Sequence, residues 1–205
     1  MNLTKYGPND GSNWSQMSSQ GVFYITGRGG SLENGLGSHL AEVYGVLSGL
    51  SLSADWFRRP HEEQVALVGT QLADAAAARS PVIANSYGSY LVVLALLDAP
   101  PLDTSVMLLS PVLGKAVIGG TYHRPPGGKS FAAALNGQIA KPSLLELYIG
   151  EADPHYAPAT WGKLGAAIKP DRQEVLVGEG HSLSKDLVAG LVSNFMQRHA
   201  EAKEV

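Results

Sequence analysis

Three residues have the types and spacing for acyl-transfer chemistry. Ser86 stands in Ala84-Asn85-Ser86-Tyr87-Gly88, a serine flanked by small residues, between a β-forming run and an almost wholly apolar segment. A serine hydroxyl is a weak nucleophile at neutral pH and needs a base to take its proton. His181, after Gly180 in "EVLVGEGHSLS", offers the imidazole, and Asp153, before Pro154 in "LYIGEADPHYAP", offers a carboxylate to fix its tautomer. A serine opening a helix is also a common N-cap. The order of the three and their placement separate the readings, because each comes just past the end of a different predicted strand. Glu151 and Glu179 are competing acids near the same loops.

The elements that must position them alternate. Apolar β-forming runs predict strands at 21–26, 81–86, 105–110, 143–150 and 173–178, with a short one in 49–54. Helical spacing predicts helices at 36–48, 61–80, 87–99, 158–168 and 184–200. The helix at 61–80 follows Pro60 and carries acidic residues in its first turn. The one after Ser86 is apolar all round, so it is expected at the centre of the domain. This alternation predicts an α/β fold: a three-layer α/β/α sandwich with a mainly parallel sheet of about six strands. One domain is expected over 1–205, with 1–20 as a weakly ordered lead-in.

The long interval 111–142 contains Pro-Pro, Gly-Gly and a short helical stretch. It leaves its strand at the edge that carries Ser86, so it is read as a small cap, a disordered loop being the alternative. Leu113, Tyr122 and Phe131 of this segment are expected to line a substrate pocket, and His155 to border it. His39 and His61 lie on predicted helices and read as solvated or satisfied residues, and His199 lies near a helix C-terminus, where a cation is mildly favoured.

Composition narrows the function. Net charge is -3 and no basic stripe exists, which disfavours nucleic acid. Without cysteine, thiolate metal sites and a cysteine nucleophile are excluded. No run reaches membrane-spanning length and the polar N-terminus has no signal-peptide core, so a cytoplasmic protein is expected. "GRGGSL" fails as a dinucleotide fingerprint because Leu32 stands where the third glycine belongs. "GGKS" fails as a phosphate loop because His123 occupies the first glycine position.

With these residues in place, the chain from Gly21 onward resembles the α/β-hydrolase superfamily, whose nucleophile, acid and histidine follow in the order of Ser86, Asp153 and His181. "YITGRGG" resembles the loop after that family's third strand, with Thr26-Gly27 where many members have His-Gly. The resemblance implies an oxyanion hole from the backbone N–H groups of Arg28 and Tyr87. The chain departs from the pattern in having Ala84 as the first small residue and a lead-in too short for every family strand. A minimal version of the fold is therefore expected. The implied function is cofactor- and metal-independent hydrolysis of a small-molecule ester or thioester. Acyl transfer, C–C cleavage and a non-catalytic binding role on the same fold are the rivals.

Overall fold

The computed structural model describes residues 21–202 apart from 46, 98, 119, 138 and 140 and the side chains of Ile118 and Tyr122. The expected lead-in at 1–20 lies outside the described residues. In chain order the elements are β1 (Val22–Ile25), α1 (Leu36–Tyr44), β2 (Leu47–Leu50), α2 (His61–Ala77), β3 (Val82–Asn85), α3 (Tyr87–Leu96) and β4 (Ser105–Leu109). There follow β5 (Ala116–Ile118), β6 (Thr121–His123), α4 (Gly128–Ala134), β7 (Leu144–Gly150), α5 (Pro158–Ile168), β8 (Arg172–Leu176) and α6 (Lys185–Glu201).

Six strands form one sheet in the order β2-β1-β3-β4-β7-β8. Every neighbouring pair in it is parallel. Parallel strands need covered faces, and side-chain alternation supplies two cores. Phe23, Ile25, Val106, Leu108, Leu145 and Leu147 join α2, α3 and α5 on one face. Val22, Tyr24, Met107, Leu109 and Tyr148 join α1 and α6 on the other. All ten residues of α3 are buried, as its unbroken apolar character requires.

Two local expectations differ from the structure. The predicted helix 36–48 stops at Tyr44, because Gly45 adopts φ +80° and closes the helix onto the Ala41 carbonyl. The chain is then free to start β2 at Leu47. The segment 111–142 also contains an unpredicted antiparallel hairpin, β5 with β6, before α4. Leu113 and Phe131 are both buried in the core on the α3 face, although neither belongs to a predicted period. Three aromatic contacts carry that packing from the sheet edge into the segment: Phe57–Tyr87 at 5.3 Å, Tyr87–Tyr90 at 5.9 Å and Tyr90–Phe131 at 5.4 Å. The Tyr90 hydroxyl also donates to the Pro126 carbonyl at 2.6 Å.

A charged group ties α6 to the sheet. Glu146, on β7, is 1% exposed. Its carboxylate accepts from Arg198 on α6 through both oxygens, the Nη2 contact being 2.8 Å, and from the Tyr148 hydroxyl at 2.8 Å. Nearby His199, in the last turn of α6, is buried, with Nδ1 2.7 Å from Ser105 Oγ. Arg198→Met strips Glu146 of its cation and leaves a buried carboxylate. The expected cost is about 2 kcal/mol or more, a fall in melting temperature of about 4–8 °C for a chain of this size. The Glu146→Met/Arg198→Met double variant is expected to recover most of that loss in calorimetry, because the buried carboxylate is gone with its cation.

Candidate active site

The sharp strand-to-helix turn is made by one residue. Ser86 has φ +53° and ψ -117°, outside the regions comfortable for a residue with a Cβ. Its N–H donates to the Leu109 carbonyl at 2.8 Å, and its own carbonyl accepts from Tyr90, starting α3. Gly88 explains the second small position. A Cβ there would lie 2.5 Å from the Thr26 carbonyl oxygen and 2.8 Å from Ile25 Cγ2, so the helix meets β1 only without a side chain.

The turn presents the Ser86 hydroxyl to His181. Ser86 Oγ lies 2.8 Å from His181 Nε2, and His181 Nδ1 lies 2.8 Å from Asp153 Oδ2. The other carboxylate oxygen of Asp153 accepts the His155 backbone N–H at 2.8 Å. Asp153 is 4% exposed, so both of its oxygens are committed inside the protein. The Asp153 and His181 loops touch directly: Ala152 donates to the Glu179 carbonyl at 2.9 Å. Gly150 permits this contact, since a Cβ there would meet the Gly180 carbonyl oxygen at 2.3 Å. The competing acids point elsewhere. Glu179 accepts from the Ser184 N–H and hydroxyl at 2.8 and 2.7 Å, and Glu151 from the Gly178 N–H at 3.4 Å.

Two backbone N–H groups border Ser86. Tyr87 is the first residue of α3, and the loop after β1 brings Gly27 so close that a Cβ on it would be 3.0 Å from Ser86 Cβ. The Arg28 and Tyr87 N–H groups have no acceptor among the described residues. Thr26 anchors the loop: its Oγ1 accepts the Leu52 N–H at 2.9 Å and donates to the Gly27 carbonyl at 3.1 Å.

His155 packs its ring against that of His181, edge to face, at 5.2 Å between centroids. Burial and the neighbouring His181 hold its pKa below the usual imidazole value, so it favours the neutral form. Ser86, His155 and His181 line one open groove, with His123 and Arg124 from the 111–142 segment. Leu113 and Phe131 do not line that groove. They border a separate cavity of about 180 Å³ beneath the segment, with Tyr90 and Leu135. The Tyr122 side chain lies outside the described residues.

Sequence reasoning passed over Phe57, His61 and Gln64, which also line the groove. His61 is half-buried; its Nδ1 has no hydrogen-bond partner, and desolvation lowers its pKa. The three are brought to the site by the turn at Trp56–Arg58, where the Trp56 indole N–H donates to Gln64 Oε1 at 3.1 Å. No local pattern signals that approach. Among the described residues no group of three His, Cys, Asp or Glu side chains is placed to hold a metal ion, and no helix is long and apolar enough to cross a membrane.

No family model matches the chain, and no curated protein matches it by sequence. Solved structures do match. A monoacylglycerol lipase from Paleococcus ferrophilus shares 14% identity at a TM-score of 0.62, covering 89% of this chain and 95% of its own. A structure from the metagenome-derived lipolytic enzymes LipS and LipT shares 15% identity at a TM-score of 0.63, covering 87% and 94%. A protein described as a YdeN-like hydrolase, from Pectobacterium atrosepticum, shares 12% identity at a TM-score of 0.64, covering 90% and 95%. With likeness along nearly the whole length of each chain, a six-stranded parallel sheet and helices on both its faces, this protein has the α/β-hydrolase fold.

Proposed function

We propose that the protein is a serine hydrolase that cleaves a carboxylic ester or thioester through an acyl-enzyme. The observation that carries this reading is the Ser86–His181–Asp153 chain, with both contacts at 2.8 Å and the serine on a strained turn. The lipase and lipolytic names of two structural neighbours support an ester bond as the target.

In the proposed reaction Ser86 Oγ attacks the carbonyl carbon while its proton passes to His181 Nε2. Asp153 holds Nδ1–H and stabilises the imidazolium. The Arg28 and Tyr87 N–H groups receive the oxyanion, one such donor being worth about 10²–10³ in rate. Collapse breaks the bond to the leaving group, which takes the proton from His181. Water then attacks the acyl-enzyme, giving its proton to His181, and Ser86 departs with a proton returned from the same nitrogen. These side chains and water account for every proton and electron pair.

Ser86→Ala is expected to lower turnover by about 10⁴–10⁶ and to abolish labelling by a fluorophosphonate, with the melting temperature little changed. Wild-type turnover in that variant would end the reading. A panel of p-nitrophenyl esters and acyl thioesters separates the two bond types.

Asp153→Asn is expected to favour the wrong imidazole tautomer and cost about 10⁴ in kcat. Glu151→Gln and Glu179→Gln should act far more weakly, since neither carboxylate contacts His181. If Glu179→Gln is the crippling change, the acid is misassigned.

The pH profile tests the base. His181 accepts a proton only when neutral, so kcat/KM should fall as pH falls. Burial and the neighbouring His181 disfavour the charged form of His155, which makes it the poorer candidate for the group that sets this limb. His155→Gln should therefore leave the midpoint of the acid limb in place. A displaced or missing limb in that variant would assign the titration to His155.

A further inference from the structure

The groove changes character on its two sides. On the side of α1 and α6 it is bordered by the carboxylates of Glu42 and Asp186, with Lys185 beside them. The side toward α2 and the 111–142 segment carries Arg28, Arg59 and Arg124 and, among the described lining residues, no Asp or Glu. This concentration of cations occurs in a chain whose net charge is -3. Arg59 is neutralised by Glu63. Arg28 and Arg124 have no carboxylate partner among the described residues, and the Arg28 guanidinium is held over the Phe57 ring at 4.8 Å from its centroid. Guanidinium groups suit carboxylate and phosphate oxygens through paired N–H donors.

A second observation also points to a polar occupant. His61 and His155 line the same side, and each has a buried Nδ1 with no hydrogen-bond partner. His155 is 7% exposed. His155 also hydrogen-bonds the Gly114 backbone, and buried polar atoms are normally paired, so the two unmatched nitrogens give this side of the groove a polar lining. Meanwhile Leu113 and Phe131, the apolar side chains expected to line a substrate pocket, border a different cavity.

Building on the serine-hydrolase reading, we propose that the substrate is an ester or thioester bearing an anionic group, a carboxylate or phosphate, which Arg28 and Arg124 bind on the α2 side of Ser86. The uncharged part of the substrate lies against Phe57 and Val112, and the anion is held at the rim.

The test compares charged and neutral esters with the reacting group kept constant. One pair is p-nitrophenyl hydrogen adipate and its methyl ester, with the charge on the acyl side. The other is 4-(carboxymethyl)phenyl butyrate and its methyl ester, with the charge on the leaving group but insulated from the phenol oxygen by a methylene. The quantity read is the ratio of kcat/KM, charged over neutral, within each pair. At low ionic strength one pair is expected to give a ratio of about ten or more, identifying the side on which the anion sits. The ratio should shrink toward one as salt is raised to about 0.5 M. Arg28→Gln and Arg124→Gln should each lower it about three- to tenfold, whereas Lys163→Gln, at an exposed position of α5, which changes net charge equally, should not. Turnover of neutral esters with ratios at or below one in both pairs overturns the proposal and leaves the hydrolase reading standing. Absence of all turnover and of fluorophosphonate labelling overturns both.

Discussion

Everything at the site depends on a chain reversal completed within one residue. Ser86 leaves β3 with φ +53°, gives its N–H to Leu109 on β4 and starts α3 through its carbonyl. Such a conformation costs of order 1–3 kcal/mol and persists only where the surroundings over-determine it. Here they do: α3 is buried on every side, and Gly88 lets it press against the backbone of Ile25 and Thr26. The strain cannot relax without unpacking the centre of the domain. The hydroxyl is thus presented above the sheet edge by the same packing that stabilises the fold.

Parallel strands impose the second constraint. With all six running the same way, their C-terminal ends share one edge, and the loops after β1, β3, β7 and β8 crowd together there. The Asp153 and His181 loops are within backbone hydrogen-bonding distance because Gly150 presents no side chain to Gly180. His181 is consequently oriented by Asp153 and by a loop hydrogen-bonded to the Asp153 loop. Preorganisation of this kind lets hydrogen-bonded groups act without reorganising when charge develops.

The 111–142 segment shows how a peripheral stretch is made part of the site. Its aromatic residue Phe131 packs on Tyr90, the Tyr90 hydroxyl holds Pro126, and Tyr87 and Phe57 extend the chain of rings back to the groove. His123 and Arg124 therefore reach the groove from a hairpin rooted in the core. On the opposite face, the buried Glu146–Arg198 pair fixes α6, the helix that follows the His181 loop.

By itself the sequence determined what depends on local chemistry. Alternating apolar runs and helical spacing gave the α/β order, and turn residues marked where Ser86, Asp153 and His181 leave their strands. In a parallel sheet that placement already implies convergence at one edge. Two elements were illegible for local reasons: Gly45 ends α1 inside an otherwise helical pattern, and the strands of β5 and β6 are too short to show a period. Other features have no local signature at all. His199 meets Ser105 across 94 residues, His61 comes to the groove through a turn packed by Trp56 and Gln64, and Leu113 and Phe131 turn into the core instead of toward Ser86. Only the tertiary structure decided these, because burial and partner choice depend on which surfaces the completed sheet brings together. Hydrophobicity is non-directional: the sequence says that Phe131 must be buried, and the fold says against what.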